Sequence, residues 1–170
     1  MQMNNNEIVY LAGGRNFYTD NLPRKVEEVI KSLSLFGESI KVISGGDYNK
    51  LKTNQADYSK GKHRFLNSFG GRFIRNSISE LLDICNDLKI HKDLKKYYAY
   101  KDIKLIWERS SRLHWINLFF AKRNRIVYVL EWKDNLLSGY KISLFRFLAV
   151  YLERYKLRHS NSIVVESHYL

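Results

Sequence analysis

Residues 102–132 read DIKLIWERSSRLHWINLFFAKRNRIVYVLEW, and residues 141–167 read KISLFRFLAVYLERYKLRHSNSIVVES. Three short apolar runs stand out: Ile103 to Trp107, Ile126 to Leu130, and Ser162 to Val165. Each stops on polar residues: Glu108-Arg109-Ser110-Ser111, then Glu131 with Asp134 just beyond, then Glu166-Ser167. Segments of helical periodicity separate them. Strand, helix, strand, helix, strand is the rhythm of a parallel sheet whose crossovers are helices. Ligands of such sheets bind beyond the carboxyl ends of the strands, where all three runs place their polar residues.

The N-terminal half fits the same plan. Glu7 to Leu11 predicts a buried first strand, followed at once by Gly13-Gly14-Arg15. Glycines there permit a tight turn and close approach to a ligand, and a following helix offers its N-terminus to an anion. The spacing falls short of a full G-x-G-x-x-G, so a plain tight turn competes with that reading. Val26, Val29, Ile30, Leu33 and Phe36 recur at helical spacing over 22–36, with Gly37 as a stop. Ser39 to Ser44 reads as a second strand, Gly45 to Gly61 as a lysine-rich surface loop, and His63 to Phe69 as an edge strand. From Arg72 a long helix is expected to bury Phe73, Ile74, Ile78, Leu81, Cys85 and Leu88, with a basic, tyrosine-tipped far side. The helix over 141–158 carries Ile142, Phe145, Leu148, Ala149, Leu152 and Tyr155 on one face, widened by Leu144, Phe147 and Tyr151. Breadth of that kind predicts burial against the sheet and a neighbour, with a protein or lipid contact as the other reading. The hydroxyls of Ser110 and Ser111 are placed to cap the helix that follows, on which His114 is expected as a packed residue. The fold expected is α/β: a Rossmann-like three-layer α/β/α sandwich, one domain over 1–170, with a mostly parallel sheet of about six strands.

The stretches WERSSRLHWINLFFAKRNRIVYVLEWKDNLL and YLERYKLRHSNSIVVESHYL resemble the second half of the N-terminal domain of glycosyltransferase family 4. They have an E-R-x-S-like strand end, a helix containing A-K, a strand ending in E with a nearby D, and a strand ending in S. Glu38-Ser39 depart from that family's G-H-x-V pattern after Gly37. The resemblance implies the acceptor-side half of a two-domain GT-B fold. Sugar transfer from a nucleotide-sugar co-substrate to a glycan or lipid-linked acceptor follows as the implied activity, with no tightly bound cofactor. The donor would be held by a second domain or subunit, since the sequence reaches Leu170 without the donor domain's motif. Residues implied at the substrate are Gly13, Gly14, Arg15, Glu108, Arg109, Glu166 and Ser167. Arg15 and Arg109 suit phosphate, and Glu131 or Asp134 suits orienting or deprotonating an acceptor hydroxyl. For each carboxylate, a helix cap or an ion pair is the competing reading.

Composition narrows the classes. Apolar residues make up 45%, enough for a core. A lone cysteine, Cys85, forbids an internal disulfide and is expected in the core. The polar N-terminus shows no signal-peptide pattern and no apolar run is long enough to span a bilayer, so an intracellular protein is expected. A formal charge of +12 attracts anions: phosphorylated ligands, nucleic acids or an anionic membrane surface. No RNA-recognition, zinc-finger or helix-turn-helix signature is present, which disfavours nucleic acid. The histidines show no ligand-like spacing and no Cys/His cluster exists, so no metal site is expected. Beside the enzyme stand two other classes: a basic nucleic-acid module and a non-catalytic scaffold recruited to a membrane.

Overall fold

A computed structural model describes residues 7–13, 22–35, 39–46, 69–132 and 143–165. In chain order these form β1 (Glu7–Ala12), α1 (Arg24–Ser34), β2 (Ser39–Ser44), α2 (Phe69–Tyr98), β3 (Ile103–Arg109), α3 (Ile116–Arg123), β4 (Val127–Trp132), α4 (Arg146–His159) and β5 (Ser162–Val165). The five strands form one sheet in the order β2-β1-β3-β4-β5, and every neighbouring pair is parallel. This is the α/β architecture that alternation of strand and helix periodicity implied. The expected edge strand at 63–69 falls outside the described residues except for Phe69, which opens α2.

Parallel strands are joined by crossovers, so the sheet is covered on both faces. On one face α1 contributes Val26 and Leu33, with Val29 and Ile30, against Ile8, Tyr10 and Ala12 of β1 and Leu105 and Trp107 of β3. On the other, Ile90 and Leu94 of α2 and Leu118 and Ala121 of α3 pack on Val9, Leu11, Ile106, Tyr128 and Leu130, with Tyr155 and Leu157 of α4 alongside. β1 lies between β2 and β3 and is buried along its whole length.

The chain's route places one point apart from the rest. β1 is followed by β2 on one side, and the chain then crosses to β3 on β1's other side. The carboxyl ends of β1 and β3 therefore flank a crevice where crossovers diverge, the usual ligand position in open α/β sheets.

Four local expectations are corrected. Cys85 is exposed, as are Ile74, Ile78, Leu81 and Leu88. The buried side of α2 instead carries Glu80, Asn86, Asp87, Ile90 and Leu94. Polar residues took the inward positions because the inward face meets polar strand ends as well as core. Leu144, just before α4, and Phe147, Leu148 and Tyr151 on it are exposed, Phe147 by 88%, while Ala149, Leu152, Glu153 and Lys156 turn inward. Its apolar breadth therefore does not reflect burial on both sides. Neither serine caps α3: its N-cap is Trp115, without a side-chain cap of its own, and His114 precedes the helix rather than lying on it.

α3 ends by a different device. Arg125 has φ of 58°, and the Ile126 N–H reaches the Ala121 carbonyl at 2.9 Å while the Arg125 N–H reaches that of Lys122 at 3.2 Å. This is a Schellman turn with arginine in the left-handed position usually given to glycine. No helix among the described residues is long and apolar enough to cross a membrane.

Candidate functional site

Sheet register lines up the carboxyl end. Ala12 lies opposite Arg109, and Arg109 opposite Glu131. Side chains alternate along a strand, so Arg109 and Glu131 share the α1 face with Trp107 and Tyr10. Arg109 Nη1 donates to Glu131 Oε1 at 2.5 Å, while Trp107 Nε1 (3.1 Å) and the Tyr10 hydroxyl (2.8 Å) donate to Oε2. Three donors from three positions hold one buried carboxylate. Burial first, then the field of Glu131, push the Tyr10 phenol far up, so it stays a donor. Such a carboxylate is fixed in charge and direction. It suits orienting a polar group better than accepting a proton, because three donors already occupy all but about one of its four lone-pair positions.

Gly13 follows directly. A β-carbon there would stand 2.7 Å from His114 Nδ1 and 3.0 Å from the Ser111 β-carbon, so glycine is required by contact. The Gly13 carbonyl accepts from Asn86 Nδ2 at 2.9 Å, and the Gly45 N–H reaches the Ala12 carbonyl at 3.1 Å. Gly45 also needs its missing side chain, since a β-carbon would lie inside the Asn86 amide. Asn86 thus pins the ends of β1 and β2 together from α2.

Glu108 goes elsewhere. As the neighbour of Arg109 it points to the opposite face, and there it is fully buried. It meets a group that no motif announced: Asp87 of α2, His114, and Asn117 of α3. Asp87 Oδ2 accepts from the backbone N–H groups of Trp115 (2.9 Å) and Ile116 (3.1 Å), and Oδ1 from Asn117 Nδ2 (3.2 Å). The cap that α3 lacks locally is thereby supplied from α2. Leu113, with φ of 59°, turns the chain so that His114 enters this cluster, 3.6 Å from Asp87. Burial, reinforced by Asp87, pushes Glu108 up to about 7, against the opposing field of Lys156 and the donor groups of the nearby Tyr128 and Asn117. Burial likewise pushes Asp87 up to about 6, although the Trp115 and Ile116 amides favour its charge. Nearby, Glu80 pairs with Arg112 at 3.2 Å and Glu153 with Lys156 at 2.8 Å.

Of the residues that the sequence nominated, the structure brings Gly13, Arg109 and Glu131 to one end of the sheet and turns Glu108 away from them. Gly14, Arg15, Asp134, Glu166 and Ser167 lie outside the described residues. Sequence reasoning missed Tyr10, Trp107 and Asn86. Strand alternation carries a signal for Tyr10 and Trp107, which share the parity of Ala12 and Arg109, whereas Asn86 offers none. Comparisons of the chain with protein-family models, with curated proteins and with solved structures found no match.

Proposed function

We infer that this chain is the acceptor-side, N-terminal half of a GT-B glycosyltransferase, acting on a glycan or lipid-linked acceptor. The observation that carries the reading is the row Gly13, Arg109 and Glu131 at the carboxyl end of β1, β3 and β4, beside the point where the crossovers diverge. It is the arrangement that the family resemblance implies for an acceptor-side cleft. Sugar transfer needs an acceptor hydroxyl held at the anomeric carbon, charge stabilisation of the departing diphosphate and exclusion of water. In this reading Glu131 is the fixed carboxylate that orients the hydroxyl and Arg109 is the cation beside it, while Gly13 lets the His114 ring pack against the end of β1. Asp134, two positions beyond Trp132, is the candidate base, and Arg15 a second phosphate-binding group. The nucleotide-sugar is held by a further domain or subunit.

The test is binding. Titration with polyprenyl-diphosphate-linked saccharides in micelles is expected to saturate, and Arg109→Gln is expected to weaken it at least roughly tenfold, a loss on the order of one charge-assisted hydrogen bond. Saturation unchanged in Arg109→Gln would remove the site from the reading.

A second reading concerns location. Phe147, Leu148 and Tyr151 are exposed on α4 and Leu144 just before it, and the Leu144 N–H donates to Ser77 Oγ of α2 at 3.1 Å, beside the exposed Ile74 and Ile78. Exposed apolar residues on a chain of charge +12 favour docking on an anionic membrane surface. Sedimentation with phosphatidylserine vesicles, lost in Phe147→Ser/Tyr151→Ser, is the check. Vesicle binding without any saccharide binding would favour a recruiting scaffold over the enzyme.

A further inference from the structure

On the face of the sheet away from Arg109 and Glu131, four carboxylates are buried together: Glu80, Asp87, Glu108 and Glu153. Arg112 faces Glu80, and Lys156 faces Glu153, its Nζ further tied to the Ser111 carbonyl at 3.1 Å. Both cations are thus committed to outer members of the group. Asp87 and Glu108 remain, with His114 between the strand end and α2. Asp87 is partly compensated by the N–H groups that it caps. Glu108 is not: it is wholly buried, and neither of its oxygens closes a hydrogen bond of ordinary geometry, although the Tyr128 hydroxyl and the Asn117 amide stand nearby. A buried carboxylate left in that state is costly unless a positive charge or a proton joins it.

We propose that Asp87, Glu108 and His114 bind one divalent first-row metal ion, of the zinc or manganese class, that ties α2, the end of β3 and the turn before α3 together. One ligand atom from each residue lies within 4.8 Å of the others, and all three side chains are buried. The Asp87 Oδ1 to His114 Nδ1 separation of 3.6 Å spans a metal with bonds of about 2.1 Å at an angle a little wider than tetrahedral. One imidazole and two carboxylates suit zinc, manganese or iron(II) rather than a soft-ligand ion such as copper(I) or an all-oxygen ion such as calcium. The Asn117 amide and the Trp115 and Ile116 N–H groups already orient Asp87, which is the outer support that a metal ligand needs. Lys156 acts against a second cation, but its ammonium is held on the Glu153 side. The site is closed, so the ion's role is structural. The inference stands independently of sugar transfer.

The test uses the purified chain freed of metal by chelator and dialysis, then titrated calorimetrically with ZnCl2 and with MnCl2. Bound metal is counted by mass spectrometry, and Co2+ loading is followed by visible absorption. One ion per chain is expected, with a raised melting midpoint and Co2+ bands of nitrogen and oxygen coordination. Glu108→Gln, nearly isosteric, is expected to weaken binding at least roughly tenfold, as is His114→Gln, while the exposed Glu27→Gln leaves it unchanged. Circular dichroism establishes that each variant is folded. Failure of the folded wild-type chain to take up Zn2+, Mn2+ or Co2+, or uptake retained in folded Glu108→Gln, overturns the proposal. In the first case Glu108 is neutralised by a proton instead.

Discussion

Gly13 and Glu131 are single positions whose chemistry leaves little freedom. At Gly13 a methyl group must displace the His114 ring, so Gly13→Ala is expected to cost roughly 1–3 kcal/mol by overpacking, read as a lowered urea midpoint. Glu131→Gln leaves the buried Arg109 without its counter-charge and is expected to cost ~3–5 kcal/mol. A cost below ~1 kcal/mol would show that Arg109 is satisfied without Glu131. Glu108 gives a pH signature in chelator-treated protein. Its carboxyl rises from an ordinary value of 4.5 to about 7, so the folded state holds a proton that the unfolded state has released. Stability contributed by that proton is complete below pH 4.5, falls as pH rises towards 7, and is flat above. Asp87 acts in the same direction between 3.8 and about 6. Denaturant midpoints are expected to fall between pH 4.5 and about 7 in the wild type and to level off from there to pH 8, whereas in Glu108→Gln the fall is shallower and ends near pH 6, where Asp87 stops contributing.

Elements show where sequence signals hold and where they fail. Strands were legible because all five, β1 through β5, are short, largely apolar runs that stop on polar residues or glycine, although burial is complete only along β1, and β5 is exposed throughout. Helix existence was legible, yet helix orientation on α2 and α4 was not. Ile74, Ile78, Leu81, Cys85 and Leu88 recur at helical spacing and still face outward, because the inward side is committed to the polar ends of the sheet. Hydrophobic periodicity reports a coherent face and not what that face meets. The adjacent pair Glu108-Arg109 read as one motif, whereas alternation sends its members to opposite faces. Asp87 was invisible as a partner of His114 because the two meet only through tertiary packing. At the end of α3, Arg125 occupies a left-handed position at a cost of about 1 kcal/mol over glycine. Arg125→Gly is expected to raise stability by about that amount, read as a higher melting midpoint.

At the scale of the whole molecule, a parallel sheet in the order β2-β1-β3-β4-β5 gathers Gly13, Arg109 and Glu131 from strands far apart in sequence, and the same sheet closes a charged cluster on its other side. We propose that the first of these is an acceptor site completed by a donor-binding domain or subunit. Its most direct test is a paired titration of the chain with polyprenyl-diphosphate-linked saccharides and with UDP- and GDP-sugars, repeated in Arg109→Gln. Saturable acceptor binding that weakens in the variant is expected, with nucleotide-sugar binding at least roughly tenfold weaker than the acceptor's, a difference of about 1.4 kcal/mol. Absence of saccharide binding, together with binding to DNA or RNA that falls steeply with salt, would contradict the proposal.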